Sequence, residues 1–567
     1  MDTIEAPSAS GVISITPEDL SQRNDAAGTI LWLRDLSLRG RLVGWGIWPA
    51  MNRLFREGTE EFFSAVSQGQ TGYIQFGTGT TSIFVEVAVS KGTRWKLAVS
   101  GYSHPRREFV VWDLWEWTKR TPKSGETPRK LYNAIGRVAD SLGVRCRHFY
   151  GPSAIASPLL RKYGVGEHYP EEEELGEPDL ARWALFSGRM QVVKVGVSEE
   201  PAKEYDLNSA YAWGMSRLPS LRGARFRSAQ GWNPDWFSRY GGWALIRVRW
   251  DIPRSNGGRP SAPIYPFPVR VRQEDGGGVE YPRQGEGWYW SPLVVEALKH
   301  FSHHIEVLEC KHLETEDSTA RPFAWIQNVY KEREQWKRGS LEDTILKWSL
   351  SCVWGKLCQR KEEKWRTNSR NLLWAGMATS CVNAELLRVA MIDPRRVWHI
   401  HVDSILLGGD RDHLGGWKGE ELGQWRCKRY QAVQQYRVGV WRGLTEDGWN
   451  EKTQGIPSGV LDWDTAAEEW RTFGPLGRVP VQWSEFQGFG CPSYEDWLGE
   501  KQQAYMMPCF PGKMVNLQEA AMRRRLGTLA VTFQPPDEIE NPMPYEDAED
   551  SFGLEHNPER RQERFNV

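Results

Sequence analysis

The chain has 567 residues, 40% hydrophobic and 26% charged, which is long enough for several hydrophobic cores and too long for one compact domain. Its 72 Lys and Arg against 73 Asp and Glu leave a formal net charge of −1, excluding a global electrostatic pull toward nucleic acid or anionic lipid. Any attraction to such partners must come from a local basic groove. The 30 Trp side chains can stack on bases or fill cores, and core filling is the expectation for most of them. Eight Cys, scattered from Cys146 to Cys509, form no C-x-x-C pair, which argues against a zinc ribbon or redox centre and for reduced thiols in the cytoplasm. Met1 to Gln22 is polar, and no apolar run is long enough to cross a bilayer, so no membrane partner is expected.

In chain order, a Ser, Ala and Pro-rich arm precedes the periodic segment Ile30 to Trp48, and we expect residues 1–65 to be an arm with a helical segment. Strand-like runs from Gly72 to Glu116 and a helix-like stretch from Pro128 to Gly143 predict an α/β domain over 66–180. It ends in the acidic linker Glu167 to Asp179. Strand-like Glu204-Tyr205-Asp206-Leu207 then runs into a helix start at Asn208-Ser209-Ala210-Tyr211. Two helical stretches from Pro322 and Leu341, separated by Arg338-Gly339-Ser340, predict an antiparallel hairpin of helices. A further helix from Leu372 precedes the strand-turn-strand segment Arg396 to Gly409. Beyond Phe533 the chain is Pro-rich and then strongly charged, and we expect 534–567 to be a disordered acidic tail.

Three groups of residues carry chemistry. Asp206 sits where a strand gives way to a helix, a ledge suited to a metal ion, although Asp206, Asn208 or Ser209 would serve equally as a helix cap. Asp403 falls where the alternation of the second strand pair turns over, near a hairpin tip. Arg333 and Lys337 are spaced for one face of the first helix of the hairpin, while Lys347, Ser351 and Trp354 share a face of the second. Leu346, Leu350, Val353 and Leu357 make that helix's apolar side. Cations converging across one hairpin are what a triphosphate needs.

Acid, cationic helix pair and acid follow the order used by family B DNA polymerases, and the chain resembles a compact relative of that family's protein-primed phage and plasmid branch. Tyr205 to Pro219 (YDLNSAYAWGMSRLP) resembles D-x-N-S-L-Y-P, Leu346 to Lys356 (LKWSLSCVWGK) resembles K-x-x-x-N-S-x-Y-G-K, and His401 to Ile405 (HVDSI) resembles D-T-D-S-I. Pro266 to Arg270 (PFPVR), Gly285 to Pro292 (GEGWYWSP) and the spacing of Tyr330, Arg333 and Lys337 are similar to the family too.

The resemblance implies a multidomain α+β chain built as a right-hand polymerase of palm, fingers and thumb, preceded by a degenerate exonuclease-like α/β domain. The palm would occupy 181–310 and 369–445, the fingers 311–368 and the thumb 446–533. Asp206 and Asp403, with the Leu207 backbone, would hold two Mg²⁺ ions, or Mn²⁺ in their place, about 3.5 to 4 Å apart for nucleotidyl transfer from a dNTP to a primer 3′-hydroxyl. Arg333, Lys337 and Lys347 would grip the triphosphate, and the amides of Leu207 to Ala210 could assist them. Tyr211 would exclude a 2′-hydroxyl, with Ser351, Trp354 and Gly355 near the nascent base pair. Ser404, Tyr436 and Lys356 would contact primer and template, and a terminal or priming protein is a further implied partner.

Departures from the family pattern are informative. His401 replaces the first Asp of D-T-D-S, Ser351, Cys352 and Trp354 replace Asn, Ser and Tyr, and Gln434 replaces the Lys of a downstream K-x-Y. Phe76-Gly77-Thr78-Gly79-Thr80-Thr81 stands where an F-D-x-E-T-T exonuclease motif would be, so synthesis without proofreading is expected. Two other readings use the same residues. One is a polymerase scaffold that binds DNA without catalysis. The other is a rolling-circle nuclease that uses His399 and His401 as metal ligands and Tyr430 or Tyr436 as nucleophile.

Overall fold

In a computed structural model, the described residues run from 11 to 508, except 24, 56–57, 68–69, 91–93, 119–121, 147, 150, 169–177, 187, 195, 230–241, 254–263, 271–278, 359–369, 438, 454–461, 474–477 and 486–500. The expected tail, most of the acidic linker and much of the expected thumb lie outside them.

The first unit is a six-stranded sheet in the order Gly11–Ile15, Gly40–Gly44, His104–Asp113, Arg94–Gly101, Ile83–Ser90, Gly72–Phe76. The first three strands pair in parallel and the rest antiparallel. Residues on both sides of the expected division at 65 therefore share one sheet. The Ile30 to Trp48 segment splits into the helix Ala26–Leu36 and the strand Gly40–Gly44. Alternation explains the sheet's faces: Ile83 and Val85 enter the core while Phe84 between them is 51% exposed.

The helix Pro128–Ser141 begins at Thr127, whose hydroxyl accepts from the Lys130 amide, with Pro128 fixing the first turn. Its apolar stripe, Leu131, Ala134, Ile135 and Val138, is fully buried in one core with Leu346, Leu350, Val353 and Leu357 of the helix Leu341–Cys358. Truncating one of those leucines to Ala costs about 2 to 5 kcal/mol. The same core takes in Trp374 and its neighbours on the helix Leu372–Ala390, so a single apolar body joins the first unit to the second half of the chain. Trp45, Trp95, Trp117, Trp250, Trp290, Trp374 and Trp425 are all fully buried, as expected for core-filling Trp.

The second half is organised on a five-stranded antiparallel sheet in the order Trp425–Tyr430, Ala202–Leu207, Ser404–Gly408, Val397–Val402, Arg189–Val192. One face, carrying Tyr205, Leu207, Ile405, Leu407 and Trp425, is buried in a core with Leu386 and Leu387 of the Leu372–Ala390 helix. Period-two alternation sends Glu204, Asp206 and Arg426 to the opposite face. A four-stranded antiparallel sheet (Arg225–Ala229, Ile305–Glu314, Trp243–Asp251, Gln284–Trp290) and another (Gly448–Thr453, Val440–Thr445, Ala432–Arg437, Gly196–Ser198) flank it. Strands Arg478–Glu485 and Lys501–Pro508 pair apart from these.

The helical hairpin is shorter on one arm than its spacing predicts. The first helix, Trp325–Lys331, tightens into a 3₁₀ turn, Glu332–Gln335, and Trp336 is extended. Lys337 therefore lies beyond the helix and shares no helical face with Arg333. At the bend, Gly339 adopts φ of +74°, a left-handed conformation that suits glycine.

Candidate active site

Register brings the two carboxylates together. Asp206 lies opposite Ser404 on one side and Arg426 on the other, and Asp403 is the second residue of the two-residue turn that joins His401 to Ser404. The Leu207 amide donates to the Asp403 carbonyl at 2.8 Å, pinning the turn to the strand that carries Asp206. The turn is tight. The Asp403 amide donates to the His401 carbonyl at 2.7 Å, and Val402 has φ of +60°, a strained conformation for a β-branched residue.

Burial first, and then the charge of Asp206, push the Asp403 carboxyl up to about 7, while Lys347 opposes the shift. Two carboxylates close enough to repel, with a cation nearby, form a site that gains from a divalent ion. The donor set is hard oxygen. Among the described residues no third His, Cys, Asp or Glu completes a protein cage. Such a pair fits Mg²⁺, which is held by one or two carboxylates and fills its shell from water and phosphates. Asp206 also has a counter-ion of its own, the Arg426 Nη2 atom at 2.7 Å from its Oδ2.

Asp206 does not cap the helix, and two of the four amides of the expected cradle, those of Leu207 and Asn208, are already used. Ser209 is the helix N-cap, in a left-handed conformation and without a side-chain cap bond. Asn208 instead uses its side-chain amide to hold the Gly419 carbonyl at 2.8 Å. The Leu207 amide is engaged by Asp403 and the Asn208 amide by the Gln424 carbonyl at 2.9 Å, so neither is available to a phosphate.

Tyr211 and Trp354 come together, with ring centroids 4.8 Å apart. The Trp354 ring nitrogen donates to the Ala375 carbonyl, which fixes the indole. Burial and then the charge of Asp403 push the Tyr211 hydroxyl well above the usual phenol range, so it stays protonated. Its oxygen lies against Gly188, where an added Cβ would come within 2.4 Å of it. Lys347 and Ser351 are exposed on the same helix, and the Ser351 hydroxyl donates to the Lys347 carbonyl. At Gly355 an added Cβ would meet nothing within 4 Å, so the surface there is open. Lys356 is half-buried near the end of that helix.

Arg333 does not stand free for a triphosphate. Its Nε and Nη2 both donate to Asp343 Oδ1, at 2.9 and 2.8 Å, while Asp343 Oδ2 accepts from the Gly339 amide at 3.0 Å. The guanidinium thus ties the hairpin's bend to its second helix, and Lys337 is exposed beyond it. Ser404 is buried, with its hydroxyl donating to the His401 carbonyl inside the turn, so it braces the turn and offers DNA no surface. The Tyr436 side chain lies outside the described residues.

The nuclease reading loses one of its two candidate nucleophiles, Tyr430, while the Tyr436 side chain lies outside the described residues. His399 is buried, its Nδ1 is 2.6 Å from Gln435 Oε1, and burial pushes its pKa down to about 3. Its Nε2 is shielded from solvent without a hydrogen-bond partner, and among the described residues no cluster of three metal-ligating side chains includes it or half-buried His401. Tyr430 is fully buried, with its hydroxyl donating to Glu204 at 2.6 Å. In the first sheet, Gly77 to Thr81 forms the loop between paired strands and carries no carboxylate.

Two features went unread in the sequence. Arg426 belongs to a strand whose basic character is legible, but which carboxylate it faces depends on a pairing register that the sequence does not state. The Gly415–Gln424 segment reaches the helical hairpin, where the Tyr330 hydroxyl donates to the Glu420 carbonyl at 2.7 Å and Arg338 pairs with the Glu420 carboxylate.

No family model matches this chain, and no curated protein matches it. Solved structures do. Phi29 DNA polymerase complexed with primer-template DNA and incoming nucleotide substrates matches with a TM-score of 0.54 at 13% identity, covering 85% of this chain and 93% of that one. An orthorhombic form of Phi29 DNA polymerase gives 0.53 at 13% identity, covering 86% and 94%. Its post-translocation binary complex with primer-template DNA gives 0.52 at 12%, covering 85% and 93%. The likeness is one of fold, a mixed helix and strand polymerase fold extending over most of the chain. Among the described residues no helix is long and apolar enough to cross a membrane.

Proposed function

We propose that this chain is a template-directed DNA polymerase that transfers nucleotides from dNTPs to a primer 3′-hydroxyl, in phage or plasmid replication in the host cytoplasm and without proofreading. The observation that carries the proposal is the convergence of Asp206 and Asp403 at one end of the five-stranded sheet, in a chain whose fold is like that of a polymerase. In this reading the five-stranded sheet is the palm and the helix pair Trp325–Lys331 and Leu341–Cys358 the fingers, while the segments after Glu446 form the thumb. The first sheet is an exonuclease-like platform for template.

Asp206 and Asp403 hold the metal ions, and Leu207 and Ser404 keep the Asp403 turn in place. When bound there, two Mg²⁺ ions supply activation of the primer hydroxyl and neutralise charge at the reacting phosphorus. Lys347, which already acts on Asp403, faces the triphosphate from the helix above. Tyr211, packed at a tilt against Trp354, forms a wall where the sugar sits. A priming protein that offers its own hydroxyl is the further partner suggested by the sequence resemblance.

Primer extension tests the proposal. Wild type extends a labelled primer with Mg²⁺ or Mn²⁺, and Asp206→Ala and Asp403→Ala do not. A wild type inert on both primed and unprimed templates would remove it. The Arg426 counter-ion on Asp206 favours a second reading, a DNA-binding protein on a polymerase scaffold whose acidic pair is already half-neutralised. That reading predicts DNA binding with no extension under any metal.

A further inference from the structure

Fixing Arg333 to Asp343 leaves the nucleotide site short of one expected cation. Arg426 stands where it could be replaced. It emerges from the strand Trp425–Tyr430, beside the strand that carries Asp206, and its Nη2 donates to Asp206 Oδ2 at 2.7 Å. The segment that leads into its strand reaches the helical hairpin, where the Tyr330 hydroxyl donates to the Glu420 carbonyl at 2.7 Å, and the charge of Arg426, with those of Arg333 and Arg338, acts on that hydroxyl. Arg426 therefore stands beside the palm carboxylate and near enough to the fingers hairpin for its charge to act there. Its fork is only partly used. The Nε atom is shielded from solvent yet has no hydrogen-bond partner among the described residues, and the side chain as a whole is 30% exposed.

A buried, unmet guanidinium donor is costly, and phosphate oxygens satisfy such a fork in bidentate fashion. A divalent ion at Asp206 would compete with the guanidinium for the same carboxylate and displace it toward the phosphates. We propose that Arg426 is a shuttling cation. It neutralises Asp206 while the site lacks metal, and binds a phosphate of the incoming nucleoside triphosphate once Asp206 is taken by metal. This rests on the polymerase reading of the same site and deepens it by naming the residue that takes over the role expected of Arg333.

The two halves of the proposal predict opposite signs. In Arg426→Ala, dNTP binding measured with Ca²⁺ and a 3′-dideoxy primer-template weakens by about ten- to a hundredfold, the scale of one lost charge-assisted fork. In the same variant, Mn²⁺ binding without nucleotide, followed by electron paramagnetic resonance, tightens because the competing cation is gone. Arg426→Lys keeps charge and stem and recovers part of the nucleotide affinity, so it carries the test if the alanine variant does not fold. Unchanged or tighter dNTP binding in both variants, beside a wild type that binds dNTP, overturns the shuttle and leaves the polymerase reading intact. A wild type that binds no dNTP overturns both.

Discussion

The rings of Tyr211 and Trp354 stand 4.8 Å apart at 45°, joining the first residues after Asp206 to the helix that carries Lys347. Because the Trp354 nitrogen is held by the Ala375 carbonyl, the pair is a fixed wall rather than two mobile side chains. Tyr211→Val removes its outer part. We expect the ratio of dNTP to rNTP incorporation rates to fall by about one to two orders of magnitude, the range for losing a steric contact in a fitted pocket. Single-turnover rates for one matched base pair measure it, and an unchanged ratio would free Tyr211 from sugar selection.

Asp403 makes the metal-free protein sensitive to pH. Its carboxyl rises from 3.8 to about 7, so the folded chain keeps a proton that the unfolded chain releases near 3.8. Protonation therefore favours the fold fully below about pH 4, and that contribution is lost as pH rises toward 7. The thermal midpoint of metal-free wild type should fall across this window by more than that of Asp403→Asn. Mg²⁺ affinity should rise over the same window, since the ion must displace that proton. Identical pH profiles for the two proteins would show that the carboxyl is not perturbed.

Arg333 and Asp343 serve the architecture of the helical hairpin. Both side chains are largely buried, at 17% and 12% exposure, and Asp343 also holds the Gly339 amide. A double-mutant cycle with Arg333→Ala and Asp343→Ala should give a coupling of about 1 to 3 kcal/mol in unfolding free energy. A coupling near zero would return Arg333 to the phosphate-binding role.

What the sequence made legible, and what it did not, divides along covalent and spatial neighbours. Leu346, Leu350, Val353 and Leu357 declared the buried side of their helix because period and composition are local properties. Asp206 and Asp403 could be paired because motif order records the layout of a fold. Arg333 and Lys337 were misjudged because a helix that tightens after Lys331 breaks the spacing rule without changing the residue types. Arg426, Asn208 and the Glu420 contact depend on which strand or loop lies opposite, and no residue count supplies that. The division at 65 failed for the same reason, since the strands Gly11–Ile15 and Gly40–Gly44 join a sheet built mainly from residues beyond it.

Tyr430 separates the nuclease reading from the polymerase one. With its hydroxyl donating to Glu204 and accepting from the Asn450 side chain at 3.1 Å, it is a buried structural phenol. Tyr430→Phe should lower stability by about 0.5 to 2 kcal/mol and leave primer extension per folded molecule unchanged. A covalent 5′-phosphotyrosine adduct in wild type, absent in Tyr430→Phe, would contradict this.

The central claim is that Asp206 and Asp403 together direct templated nucleotidyl transfer. The most direct measurement is incorporation of one nucleotide onto a labelled primer, opposite each of the four template bases in turn, with Mg²⁺ and all four dNTPs offered separately. Wild type should add the complementary nucleotide in each case. Asp206→Asn and Asp403→Asn should each lose about a thousandfold or more in rate, as expected when several kcal/mol of metal-borne charge stabilisation disappears. Addition that ignores the template, or that proceeds equally in either variant, would contradict the account.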